Sequence, residues 1–343
     1  MSILDKLLGH PGACTVSGRN WKRQAAVGAG FVLSAFFLWL ALRQVDVASL
    51  GKAFATLSYI PVLLCAGALS LGIILRAVRW HVIAGFAKAE QHHFSRATNL
   101  GILANLIFPG RAGEFIRVIT LAKLSRSSLP GPLASALIDR LIDVFVLLAS
   151  ASVLYWLFPI STLIDKWLTT FLVAGCTVTL LIVFYARSSG IGEALIVRLT
   201  KRWLQRWPLE PEVFLAELRG EFRRLLGRWL SIELLFLAAL ILVTDYGAIA
   251  ALFQAFALSL PVEAPLLLWV FLAAGSALPS APGYVGVYQV AAVWALSLFT
   301  VPAPIAVAIA TVLQITTLAV AIIMAGPGAF GIFKRMLFQK NAV

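Results

Sequence analysis

The sequence predicts an all-α polytopic membrane protein with six full spans and two Pro/Gly-broken re-entrant hairpins. Three observations lead there. Of its 343 residues, 61% are hydrophobic and only 13% charged, with mean hydropathy +0.93; soluble domains are about 45–50% apolar with about a quarter charged. Apolar runs of about 20 residues, the length that crosses a bilayer, recur along the whole chain. Between them lie two further apolar stretches, 97–124 and 264–299, each interrupted by proline and glycine. This leaves no room for a large soluble enzyme domain, so residues 1–343 read as a single transmembrane domain.

The elements follow in order. The start, MSILDKLLGHPGACTVSGRNWKR, lacks an apolar core followed by a small-residue cleavage site, so no signal peptide is expected. Trp21-Lys22-Arg23 reads as an interfacial anchor. Full spans are expected near 25–42, 58–80, 133–158, 167–186, 229–259 and 303–326. Residues 1–186 form a first half containing broken hairpin 97–124, and 229–343 a second half containing broken hairpin 264–299. The connecting stretch 187–228 is basic and amphipathic: Phe214, Leu218, Phe222, Leu225 and Trp229 recur at helical spacing among Arg219, Arg223, Arg224 and Arg228. That stripe suits either an inner-leaflet surface or the flank of the bundle.

Basic residues set the orientation. Arg76, Arg79, Lys88 and Arg96 surround the loop after the second span, 187–228 holds the densest group, and Lys334, Arg335 and Lys340 close the chain. With six crossings and two re-entrant hairpins, all three groups and both termini fall in the cytoplasm. Eight spans, with each broken segment crossing as a pair, give the same termini. The net charge of +13 therefore reads as loop bias facing anionic lipid, and no nucleic acid partner is expected. Cys14, Cys65 and Cys176 are far apart and no metal or cofactor spacing appears, so neither is expected.

The two broken segments share a motif. PGRAGEFIR begins at Pro109 and PGYVGVYQV at Pro282; both read P-G-x-x-G-x-aromatic. Paired Pro/Gly-interrupted segments in corresponding positions point to a site built from discontinuous helices. In the six-span topology one hairpin enters from each side, which is an inverted repeat. Pro109, Gly110, Gly113, Pro282, Gly283, Gly286 and Gln289 are the expected turn residues.

Charges coincide with the first break. Arg111, Glu114 and Arg117 lie three apart, and a helix restarting near Gly110 would put them on roughly one face. Downstream, ALIDRLIDVF sets Asp139, Arg140 and Asp143 at the start of an apolar span, and Arg76 and Arg79 end the second span. A charge at membrane depth is costly and marks a function unless it staples helices or snorkels to the interface. Two arginines near a helix N-terminus suit a phosphate, which a guanidinium grips as a fork. These eight residues are the candidate headgroup-binding set. Catalytic motifs are lacking, and His92-His93 reads as an exposed polar pair in a basic loop.

At these motifs the sequence resembles the flippase-like transmembrane domain of lysylphosphatidylglycerol synthases and its stand-alone relatives. The resemblance rests on RAVRW at Arg76–Trp80, on Pro109 with Gly113, Glu114 and Arg117, on DRLID at Asp139–Asp143, and on the turn Pro282–Val287. Where the family often continues with Arg-Glu, this chain has Tyr288-Gln289, so a mechanism needing that carboxylate does not carry over. No soluble aminoacyl-transfer domain is expected within these 343 residues. The resemblance implies translocation of a polar-headed lipid (a phospholipid, glycolipid or hopanoid) across the bacterial inner membrane, not headgroup synthesis. Homo-oligomers and lipid-biosynthetic enzymes are further expected partners. Two alternatives stand beside it: a membrane-embedded transferase acting on a lipid-linked donor, and a non-transporting scaffold for lipid-modifying enzymes.

Overall fold

The α-helix is the element that satisfies backbone hydrogen bonds within one segment, and every described element is helical, as an apolar solvent demands. The computed structural model describes residues 20–43, 45–87, 90–108, 111–157, 177, 211–225, 228–277 and 281–338. In chain order the helices are α1 (Asn20–Leu42), α2 (Val47–Ala55), α3 (Tyr59–Ala84), α4 (Gln91–Ile107), α5 (Ala112–Ser125) and α6 (Pro130–Leu157). After the connecting stretch come α7 (Pro211–Leu225), α8 (Arg228–Ala255), α9 (Glu263–Ser276), a 3-10 turn (Pro282–Tyr284), α10 (Val287–Ser297) and α11 (Ala303–Phe338).

Local chemistry sets several boundaries. Asp46 caps α2 by accepting from the Ser49 amide at 2.9 Å. α3 stops at Gly85, whose left-handed φ of 65° returns its N–H to the His81 carbonyl at 3.0 Å. α4 ends at Phe108, extended at φ −105° and ψ 143°, because the ring of the following Pro109 crowds the helical region. α6 opens on Pro130, whose fixed φ suits a first turn.

Among the described residues, three helices are long and apolar enough to cross a membrane: Tyr59–Ala84, Leu230–Ala255 and Ala303–Gly326. α1 and α6 cover two more of the expected spans, while the span expected at 167–186 lies outside the described residues. The 28-residue α6 is long enough, but it carries Asp139, Arg140 and Asp143 in its first half. Each broken segment is a pair of helices packed on one another, α4 against α5 and α9 against α10. α11 kinks at Gly326, where φ is 64°, and Asn99 of α4 donates to the nearby Met324 carbonyl at 3.0 Å.

α3 and α8 lie together along their lengths, and α11 runs beside α10, α4 and α2. The largest core joins α8 to α11 through Leu252, Leu268, Leu296 and Ile309. On α7 the apolar stripe turns inward: Phe222 packs with Ile83, Ile138 and Leu234, and Phe214 with Ala134. The bundle-flank alternative for this stripe is thus the one realised over 211–225; the Leu225 and Trp229 side chains lie outside the described residues.

Candidate functional site

A cavity of about 460 Å³ opens between the two broken segments. The first contributes Asn105, Arg111, Glu114 and Arg117, and the second Ser276 and Tyr284. α4 packs directly on the 3-10 turn, so the two interruptions meet. The charged part of its lining forms an ionic wall, and Leu147, Leu242, Leu272 and Leu313 are among its apolar lining.

The ionic wall is organised by Asp139, which is fully buried. Its Oδ1 accepts from Arg79 Nε at 2.8 Å, and its Oδ2 accepts from Arg117 Nη1 at 3.0 Å and Arg140 Nη2 at 3.1 Å. Arg79 also donates to Asp143 Oδ1 at 2.5 Å, and Arg140 Nη1 lies 3.0 Å from Asp143 Oδ2. Glu114 Oε2 stands 3.0 Å from Arg117 Nε and 3.4 Å from Arg140 Nε. Three guanidiniums and three carboxylates thereby neutralise one another across α3, α5 and α6. Such pairing is what makes burial of charge tolerable, because an unpartnered ion in low dielectric is far more costly. The Arg117 guanidinium also lies 4.7 Å from the centre of the Trp80 ring, a cation–π contact, while Trp80 Nε1 donates to Ser135 Oγ at 3.0 Å.

A second ion pair also borders the cavity. Arg76 Nη2 donates to Asp245 Oδ2 at 2.6 Å, and Trp269 Nε1 donates to the same oxygen at 3.0 Å. One turn of α3 therefore supplies an arginine to each system.

The two turns are tied by side-chain amides. Asn105 Oδ1 accepts from the Gly113 amide at 2.8 Å, and Gln289 Oε1 from the Gly286 amide at 2.7 Å. Gln289 Nε2 donates to Gln314 Oε1 at 2.6 Å, and Gln314 Nε2 to the Gly283 carbonyl at 2.8 Å. Gln289→Leu would strand the Gly286 N–H and half of the Gln314 amide. The expected cost is about 1–3 kcal/mol of stability, read as a lowered unfolding midpoint in detergent.

Of the sequence-derived set, Arg76, Arg79, Arg111, Glu114, Arg117, Arg140 and Asp143 line the cavity, and Asp139 sits beneath them. Arg79 is interior rather than interfacial, at 1% exposure. Gly283 lines the cavity, while Gly113, Gly286 and Gln289 shape the turns behind it; Pro109 and Gly110 lie outside the described residues. Arg111 lines the same cavity as Glu114 and Arg117 but stands at the N-cap of α5, outside the helix. It precedes α5 in a left-handed conformation, φ 56°, and reaches Ser276 Oγ at 3.3 Å. Tyr284, at the same position of the second motif, is also left-handed, φ 59°. Sequence reasoning missed Asn105, Asp245, Trp269, Ser276, Tyr284, Tyr288 and Gln314 as site residues. Asp245 alone had a usable signal, a lone carboxylate inside an apolar run.

A sequence model of the lysylphosphatidylglycerol synthase TM region matches residues 27–325, which takes in both broken segments and the whole ionic wall. Comparison with curated proteins and with solved structures found no match. The extent of that family match makes this chain a member of the lysylphosphatidylglycerol synthase transmembrane-region family, a membrane protein with a lipid-related function.

Proposed function

We propose that the protein moves a polar-headed, phosphate-bearing lipid between the leaflets of the bacterial inner membrane. The head would pass through the cavity while the acyl chains remain in the bilayer. One observation carries this reading: a 460 Å³ cavity lined by both charged and apolar side chains, at the meeting of two interrupted helix pairs. That volume falls in the usual range of small-molecule sites, about 300–1,000 Å³. In the topology that fits best, α4–α5 and α9–α10 are re-entrant hairpins of an inverted repeat. The left-handed residue shared by Arg111 and Tyr284 supports the repeat. Both termini lie in the cytoplasm in this arrangement, and no nucleotide-binding motif is present, so transport is passive or ion-coupled.

Purified protein reconstituted in liposomes with a headgroup-labelled phospholipid tests the proposal. Leaflet exchange well above that of protein-free vesicles is expected. Exchange at the protein-free rate, together with turnover of an added lipid-linked donor, would replace this reading with the transferase.

A further inference from the structure

We propose that the cavity selects a lipid headgroup of net charge −1, and that Arg111 is the side chain that holds it. The inference rests on the reading of this cavity as a headgroup path and adds the charge and the anchor. Five guanidiniums (Arg76, Arg79, Arg111, Arg117 and Arg140) line the cavity. Four carboxylates answer them: Glu114, Asp143 and Asp245 in the lining, and Asp139 buried behind it. The set of three arginines around Asp139, Asp143 and Glu114 is neutral, and so is the pair of Arg76 with Asp245. One positive charge is left, and it belongs to Arg111.

The geometry agrees with that count. Among the described residues no carboxylate lies within 4 Å of the Arg111 guanidinium, and its recorded hydrogen bond is the long 3.3 Å contact to Ser276 Oγ. A guanidinium carries five N–H donors, so most of them are available to a ligand. The left-handed backbone at Arg111 is sparsely populated for a residue with a side chain, and strain of this sort gathers at ligand clamps. Tyr284 holds the equivalent position of the second motif, its ring stacked on Tyr288 at 5.2 Å between centroids.

A monoanion such as a phosphodiester with an otherwise uncharged head would bring the cavity to neutrality. A zwitterion would add an ammonium to a site whose carboxylates are already taken by arginines. A dianion would bring one negative charge that no cation of the lining answers.

The test uses the full chain in detergent micelles doped equally with phosphatidylglycerol and phosphatidylcholine, with retained lipid counted by native mass spectrometry. Wild type is expected to favour phosphatidylglycerol by about tenfold, the scale of one charge-assisted contact at a partly exposed site. Arg111→Gln should bring that ratio near unity, and Arg111→Lys should keep most of it. Because the wild-type ratio is read by itself, the test stands even if a variant folds poorly. Equal retention by wild type, or an unchanged ratio in a folded Arg111→Gln, would overturn the inference. Deacylated glycerophosphoglycerol added in excess is expected not to displace the lipid; displacement would reassign the site to a soluble anion. Charge preference without leaflet exchange would leave Arg111 as the anchor and remove transport. Exchange that treats both lipids alike would do the reverse.

Discussion

Asp139→Asn is expected to destabilise the protein by about 3–5 kcal/mol, the cost of breaking a buried ion pair by removing one partner. The substitution keeps shape and removes charge, so packing is not the variable. Asp139 answers Arg79 and Arg117, whose side chains are 1% and 5% exposed and have little water to turn to. An asparagine offers one acceptor where two oxygens now receive three donors, and aims an NH2 group at a guanidinium. Asp143→Asn is the matched comparison. At 33% exposure, its loss can be met by water, so about 1 kcal/mol or less is expected. Thermal unfolding of both variants in the same detergent, followed by tryptophan fluorescence, should place Asp139→Asn far below Asp143→Asn. If Asp139→Asn instead melts like wild type and loses only lipid exchange, the ionic wall is ligand machinery rather than a staple.

That distinction shows how far the sequence could be read. Long apolar runs announced α3, α8 and α11, and the Pro/Gly motifs announced the two interruptions, because lipid imposes length and helix-breaking residues stand out against it. Arg79, Arg117, Asp139, Arg140 and Asp143 were visible as charges in the wrong solvent. Their partners were not. Arg79 meets Asp139 across 60 residues and Arg76 meets Asp245 across 169, and nothing local marks such pairs. Asn105, Ser276 and Gln314 carry no charge, so at single-sequence level they look like any polar residue tolerated in a helix. Arg111 was expected inside a restarted helix and instead precedes α5 with a left-handed φ of 56°, so helical spacing does not fix its direction.

The position of α3 draws the two ion systems into one structure. Arg76 and Arg79 sit three apart on a helix, about 60° around its axis, so they reach different neighbours from adjacent turns. Arg76 ties α3 to α8, while Arg79 ties it to α6. Gly72, one turn earlier, leaves the space in which the Arg76 guanidinium and the Thr244 hydroxyl lie, each 2.9 Å from where a Cβ would stand. Both ion systems therefore border the same cavity and meet on one helix, α3.

The interrupted helix pairs should be just as intolerant of a single methyl group. In Gly113→Ala the added Cβ would stand 1.9 Å from the Gly101 carbonyl oxygen and 2.5 Å from Asn105 Oδ1. Carbon–oxygen contacts normally close to about 3.3 Å, so α5 must back away from α4 by more than 1 Å and break the Asn105 cap. Overpacking of this kind is expected to cost about 3 kcal/mol. Gly286→Ala meets backbone as well, at 2.2 Å from the Ser34 carbonyl oxygen of α1, and it forces a side chain onto a residue with φ 86°. Steric overlap and the left-handed backbone together put its expected cost at about 3–5 kcal/mol. Gly247→Ala is the control: it lies in α8 with nothing within 4 Å of its Cβ, and alanine should gain up to about 1 kcal/mol there. Unfolding midpoints in one detergent should fall in the order Gly247→Ala, Gly113→Ala, Gly286→Ala. A Gly113→Ala protein as stable as the Gly247→Ala control would mean that α4 and α5 do not meet at backbone contact, and the geometry that brings Arg117 to Asp139 would need another explanation.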